Sequence, residues 1–124
     1  MQNHYVLLTE GDFTRVMALQ PEPLLRAELE RAIVVPRDAM PADIVTMYSI
    51  VRYRDEHTGI SRELQIVYPD EADIARGKVS VLAPVGAALL GLAAGQAIDW
   101  TFPGGEIRRL RVEAVLSQSE TAIN

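Results

Sequence analysis

Residues 79–98, "VSVLAPVGAALLGLAAGQAI", contain no charged side chain between Lys78 and Asp99. Three readings compete for such a run: a bilayer span, a phosphate-binding loop, or folded core. A spanning helix requires ~20 predominantly apolar residues with the backbone satisfied internally. Pro84, Ser80, Gln96, three glycines and frequent alanine make this run only weakly hydrophobic, and no Lys/Arg cluster flanks it. Gly86 and Gly91 have the G-x-x-x-x-G spacing of a phosphate loop, yet Leu92 and Ala93 follow where Lys and Ser/Thr are needed. Folded core remains: a short strand "VSVL", then a helix opened by Pro84 and ended by Gly91.

The segments on either side follow a two-residue period. Downstream, "AIDWTF" (97–102) alternates Ile98, Trp100 and Phe102 against Asp99 and Thr101, and "PGG" turns the chain into a long final strand. That strand places Leu110, Val112, Ala114 and Leu116 on one face. Ile107 falls on the opposite parity, which predicts a bulge near Arg108 or Arg109. Upstream, "TMYSIVRYRD" (46–55) and "RELQIVY" (62–68) form a hairpin across the turn "EHTG", with Leu64, Ile66 and Tyr68 inward and Glu63 and Gln65 outward. "PDEADIARGK" is a polar break with room for one helical turn.

The first third reads as helical. "YVLL" (5–8) leads in, and Thr9 with Asp12 three residues later resembles a capping box that starts a helix near Glu10. Phe13, Val16 and Met17 recur at helical spacing until Pro21 and Pro23 break the run. A second helix starts near Pro23, carries Leu25, Leu29, Ala32 and Ile33 as its apolar stripe, pairs Glu22 with Arg26, and ends before Pro36. Together these give an α+β chain: a short N-terminal antiparallel helical hairpin (1–44), then an antiparallel sheet domain with one short helix (45–124).

Composition narrows the function. A chain of 124 residues forms a core without a disulfide or metal staple. Twelve Lys+Arg against seventeen Asp+Glu, net −5, disfavours sequence-specific nucleic acid as a direct partner. No cysteine is present, and the N-terminus lacks the basic and apolar regions of a signal peptide, so a cytoplasmic protein with no membrane partner is expected. Catalytic constellations are thin. His4 and His57 read as solvated surface residues rather than zinc ligands. Asp70, Glu71 and Asp73 form an acidic cluster without the ligand spacing of a calcium loop. Arg108, Arg109 and Arg111 read as edge-protecting charge, with Glu63 and Asp99 as cross-strand partners. Ser49, Ser61 and Ser80 lack His and Asp partners for a nucleophilic triad. No catalytic residue, metal or cofactor is expected.

One resemblance spans nearly the whole chain. "DEADIARGKVSVLAPVGAALLG" (70–91) followed by "AAGQAIDWTFPGGEIRRLRVEAV" is similar to the C-terminal domain of the GreA/GreB transcription elongation factors. That family runs from an acidic D-E-A-D through G-K-[IV]-S and S-P-[IL]-G-x-A-L-[IL]-G to a P-G-G hairpin. "LRAELERAIVVPRDAMPADIVTMYSIVRYRD" (25–55) resembles the Rnk-like subgroup, named for regulation of nucleoside diphosphate kinase, with its A-E-L-x-R-A helix and M-P-x-D-V-V-T-M-N-S-x-V strand entry. The resemblance covers roughly residues 10–117.

It implies an FKBP-like C-terminal domain behind a short coiled-coil hairpin, docked on RNA polymerase at the rim of the secondary channel. The "VLAPVG" corner (Val81, Leu82, Ala83, Pro84, Val85, Gly86) is then the docking loop, with Asp70, Glu71 and Asp73 as neighbouring polar contacts. The chain departs from the Gre pattern in three places. Ala83 replaces serine before the proline, and Ala87 replaces a frequent Arg or Lys. The hairpin, of about 25 residues, reaches less than ~20 Å at ~1.5 Å per residue, and its tip "QPEP" offers only Glu22. One carboxylate is a poor magnesium clamp, so a regulator without transcript-cleavage activity is expected. The alternatives are a Gre-like cleavage stimulator and a peptidyl-prolyl isomerase-like binding module.

Overall fold

The computed structural model describes residues 5–120. Strand β1 (Leu7–Thr9) runs directly into helix α1 (Glu10–Ala18), because the Thr9 hydroxyl accepts the Asp12 N–H at 3.1 Å and caps the first turn. Helix α2 (Pro23–Glu30) starts on its proline and stops earlier than its apolar spacing predicts. Ile33 leaves the helical stripe and opens strand β2 (Ile33–Val35), which pairs in parallel with β1. Three consecutive β-branched residues favour extended backbone, and the Ile33 N–H bonds the Val6 carbonyl at 2.8 Å. The two helices are therefore bracketed by a strand pair.

The remaining strands form one sheet of order β5-β4-β3-β7-β6. They are β3 (Ile50–Asp55), β4 (Ser61–Val67), β5 (Lys78–Ser80), β6 (Ala97–Thr101) and β7 (Ile107–Ser117). The expected β3–β4 hairpin is present, with Val51 opposite Leu64 and Tyr53 opposite Arg62. Its turn is held by Asp55, whose carboxylate accepts the His57 and Thr58 N–H groups at 2.9 and 3.4 Å. The sheet is mixed rather than antiparallel, because β5 pairs in parallel with β4. The two 3-10 turns Pro69–Glu71 and Ile74–Arg76 carry the chain back between them.

Several expectations change in three dimensions. Strand β3 begins at Ile50 rather than Thr46, since Tyr48 takes a left-handed φ of 68°. Such a conformation costs a bulky residue roughly 1–2 kcal/mol. The Tyr48 N–H bonds the Ile66 carbonyl at 2.7 Å and its hydroxyl donates to Glu71 at 2.6 Å, which hold it there. Gln65 is buried rather than outward, with its amide donating to the Tyr48 carbonyl at 3.0 Å. The bulges of β7 lie against β3, skipping Leu116 and Glu113, while its pairing with β6 is regular through Arg108 and Arg109. Val115 consequently packs on the core and Leu116 is exposed. Strand β7 sits inside the sheet, so its arginines protect no edge. They form ion pairs instead: Arg109 with Asp99 at 3.1 Å and Arg111 with Glu56 at 3.0 Å, whereas Glu63 pairs with Arg52 at 3.0 Å.

Helix α3 (Pro84–Leu89) packs against β5, β6 and β7. One cluster of buried side chains runs from Leu8, Val16 and Leu29 through Val45 and Met47 to Ile66, Leu89 and Leu110. Burial of each large side chain contributes about 1.5–3 kcal/mol, so the helical segment and the sheet stabilise each other. Backbone contacts reinforce the junction: the Leu7 N–H bonds the Gly91 carbonyl at 3.0 Å, and the Met47 N–H bonds the Asp12 carboxylate at 3.2 Å.

Candidate docking site

The corner after β5 is built by local hydrogen bonds. The Ser80 hydroxyl accepts the Leu82 N–H and the Ser80 carbonyl accepts the Ala83 N–H, both at 3.0 Å. The Val81 N–H is bound to the Val67 carbonyl at 2.8 Å, and its side chain is fully buried. Pro84 then supplies the first position of α3, where a missing N–H costs nothing. Gly86 lies against the backbone of Ser80 and is buried. What the corner presents to solvent is chiefly Leu82, 42 % exposed, with Ala83, Pro84 and Val85 half-buried.

Leu82 and Pro84 form one wall of a groove of about 780 Å³. The turn between α1 and α2 forms the second wall, with Glu22 and the exposed Leu24. Gln20 adopts a φ of 54° there, which folds buried Pro21 back toward the sheet. Trp100, Phe102 and Pro103 at the end of β6 complete the groove. The helical turn and the proline corner, 60 residues apart in sequence between Glu22 and Leu82, thus share one surface.

The lining is mostly apolar, with Glu22 as its one ionisable side chain. It pairs no nucleophile with a base, and its chemistry is that of a binding surface. The acidic residues lie elsewhere. Asp70 is exposed, Glu71 is engaged by the Tyr48 hydroxyl, and Asp73 pairs with Arg76 at 3.6 Å. None of these three lines the groove. The alternation of β6 puts Trp100 and Phe102 on the core face, and the structure also brings them to the lining of the groove. The P-G-G turn directly after Phe102 was the available signal, since it ends β6 beside the corner.

Among the described residues, no group of three or more His, Cys, Asp or Glu side chains is disposed to hold a metal ion. His57 is exposed in the β3–β4 turn, and His4 lies outside the described residues. No helix among the described residues is long and apolar enough to cross a membrane.

Away from the groove, a tyrosine cluster joins α1 to the sheet. The Arg15 guanidinium stacks 3.8 Å above the Tyr68 ring, and Tyr48 meets Tyr68 edge-on at 5.7 Å. Burial, then the nearby Asp12 charge, pushes the Tyr68 hydroxyl up to about 12. Burial also raises Asp12 above the ordinary carboxylate value, opposed by its bond from the Met47 N–H.

Comparison with known proteins places these features in a family. Residues 40–117 match the family described as "Transcription elongation factor, GreA/GreB, C-term". The chain is 37% identical to "Regulator of nucleoside diphosphate kinase" of Escherichia coli (strain K12), over 98% of this chain and 96% of that protein. It is 38% identical to "Transcription elongation factor GreA" of Thermodesulfovibrio yellowstonii over 64% of this chain, which spans 50% of that relative. The solved "Prokaryotic transcription elongation factor GreA/GreB from Nitrosomonas europaea" superposes with a TM-score of 0.69 at 39% identity, covering 90% of this chain and 98% of the other.

Proposed function

The chain belongs to the GreA/GreB transcription elongation factor family, and from that premise we propose that it is a non-enzymatic cytoplasmic regulator that docks on bacterial RNA polymerase near the secondary channel. Residues 45–124 act as the FKBP-like docking unit and residues 1–44 as its helical companion. The observation that carries the reading is the groove, in which exposed Leu82 and half-buried Pro84 stand beside Trp100, Phe102 and Leu24 with Glu22 at one wall. A connected apolar surface bordered by polar groups is the kind a protein partner covers. Asp70 and Asp73 act as peripheral contacts, and Glu71 contributes through the Tyr48 bond that positions its segment. The name of the Escherichia coli relative supports a regulatory role, and we take any effect on nucleoside diphosphate kinase to pass through transcription.

The absence of cleavage activity follows from the helical turn. Helices of nine and eight residues extend about 14 and 12 Å at ~1.5 Å per residue. Glu22 is their one tip carboxylate, and it borders the groove, which leaves no second acid to share a metal ion. The test is retention of core RNA polymerase by immobilised protein, wild type against Leu82→Asp. Wild type retains polymerase, and the variant retains roughly tenfold less with an unchanged unfolding midpoint, because a charge now faces an apolar partner. Failure of wild type to retain polymerase, or equal retention by the variant, overturns the docking reading. Faster RNA cleavage in backtracked complexes on adding the protein overturns the non-enzymatic one.

A further inference from the structure

The two outer strands of the sheet differ at their free edges. Strand β5 is closed by its own chain. The Lys78 N–H bonds the Asp73 carbonyl and the Lys78 carbonyl accepts the Asp73 N–H, both at 2.9 Å, while the Ser80 carbonyl accepts the Ala83 N–H. Strand β6 pairs with β7 alone and has no such cover among the described residues. The Val112 N–H bonds the Gln96 carbonyl at 2.9 Å, and the Phe102 N–H bonds the Glu106 carbonyl at 2.7 Å. The ladder between them therefore turns the backbone groups of Ile98 and Trp100 toward β7 and those of Ala97, Asp99 and Thr101 outward. These outward groups have no hydrogen-bond partner among the described residues, and Asp99 and Thr101 are exposed.

Sheet edges are ordinarily blunted by a very short strand, a bulge, a proline or a lysine. Strand β6 has five residues in regular register with β7 and contains neither proline nor lysine. Its one charge is Asp99, paired with Arg109 at 3.1 Å. Outward N–H and carbonyl groups that recur every ~6.8 Å match another extended backbone, which presents its own groups at the same repeat. Charge then decides between occupants. A second copy paired antiparallel about the centre of the strand sets Asp99 opposite its counterpart, and like charges directly opposite are destabilising. A strand with a cation at that position is favoured, because the Asp99 side chain is 51% exposed and open to a second partner.

We propose that the open edge of β6 receives an extended segment of a partner polypeptide, with a lysine or arginine opposite Asp99. The residues on either side of that cation stand opposite Ile98 and Trp100, where β-branched side chains pair well with an aromatic neighbour. The edge runs into the groove at Trp100 and Thr101, so the added segment is continuous with an apolar surface. The proposal concerns the edge itself and stands whether or not the groove takes polymerase.

The test is an NMR titration of the full chain with the peptide acetyl-Thr-Val-Lys-Val-Thr-amide, set against the same peptide with glutamate in place of lysine. The lysyl peptide shifts the Ala97, Asp99 and Thr101 amides saturably, with a dissociation constant on the order of millimolar. The Ile98 and Trp100 amides, bonded to β7, stay nearly unmoved. The glutamyl peptide binds roughly fivefold more weakly. Asp99→Lys reverses that preference. Thr101→Pro removes an outward N–H that the β6–β7 ladder does not use and loses the response, while Thr101→Val keeps it. Each variant is checked for an unchanged amide spectrum elsewhere. No shift, shifts without the alternation, equal binding of the two peptides, an unchanged preference in Asp99→Lys, or a full response in Thr101→Pro overturns the proposal. Concentration-dependent shifts of the same three amides without peptide assign the edge to a second copy and overturn it as well.

Discussion

Gly86→Ala separates local helix propensity from tertiary packing. Gly86 lies in α3 with no positive φ, so propensity alone predicts that alanine stabilises by up to ~1 kcal/mol. The surroundings reverse the sign. A Cβ at this position would stand 2.4 Å from the Ser80 carbonyl oxygen and 3.2 Å from the Val81 Cα. The first distance falls short of an ordinary contact by about 1 Å. Neither atom yields easily, because the Ser80 carbonyl accepts the Ala83 N–H at 3.0 Å and Val81 is tied to β4 at 2.8 Å. Overpacking of this kind costs about 1–3 kcal/mol. After the propensity gain, a net loss of about 1 kcal/mol is expected, equivalent to a fall of roughly 4 °C in the midpoint of a domain this size. Gly11→Ala is the matched control: Gly11 lies in the first turn of α1 with nothing within 4 Å of the added carbon. It should stabilise by a few tenths to ~1 kcal/mol. Urea unfolding of both variants, read by Trp100 fluorescence and circular dichroism, gives the comparison. If Gly86→Ala is as stable as wild type, the tight seating of α3 on the β5 corner is refuted.

Three further outcomes follow from polar groups, two at the junction of α1 and the sheet and one in the β3–β4 turn. The Tyr68 hydroxyl is buried without a hydrogen-bond partner among the described residues, so Tyr68→Phe should stabilise by about 1 kcal/mol in urea unfolding while keeping the Arg15 stack. Asp12 binds its proton more tightly in the native state than in the unfolded chain. Its contribution to stability is therefore full below the ordinary value of 3.8 and declines as pH rises through the raised native value. Stability curves of wild type and Asp12→Asn measured from pH 3 to pH 7 should diverge in that window, and parallel curves would disprove the assignment. Asp55→Ala removes the acceptor for two turn N–H groups and should cost about 1–2 kcal/mol, seen as a lower urea midpoint with an unchanged slope.

Element types were legible in the sequence wherever one local signal was sufficient. The Thr9 cap, the proline starts of α2 and α3, the β3–β4 hairpin and the alternation of β6 each depend on neighbours within a few residues, and each is present. The charge-free run 79–98 likewise resolved into strand, helix and turn because proline and glycine constrain the backbone locally. Motif order over the second half was sufficient for the family resemblance.

Tertiary structure decided what depends on distant partners. Ile33 joins a strand because Leu7 and Val6 wait beside it across the two helices. Gln65 is buried because the Tyr48 segment folds over its face of the sheet, and the β7 bulges are placed by register against β3 rather than by parity within β7. The site follows the same rule. Glu22, Leu82 and Trp100 are each unremarkable in sequence, and they become one groove only when a left-handed residue at Gln20 turns Pro21 back against the sheet. Local backbone preferences act over a few bonds and can be read from the chain, whereas burial, register and shared surfaces arise from contacts between segments that the chain order leaves far apart.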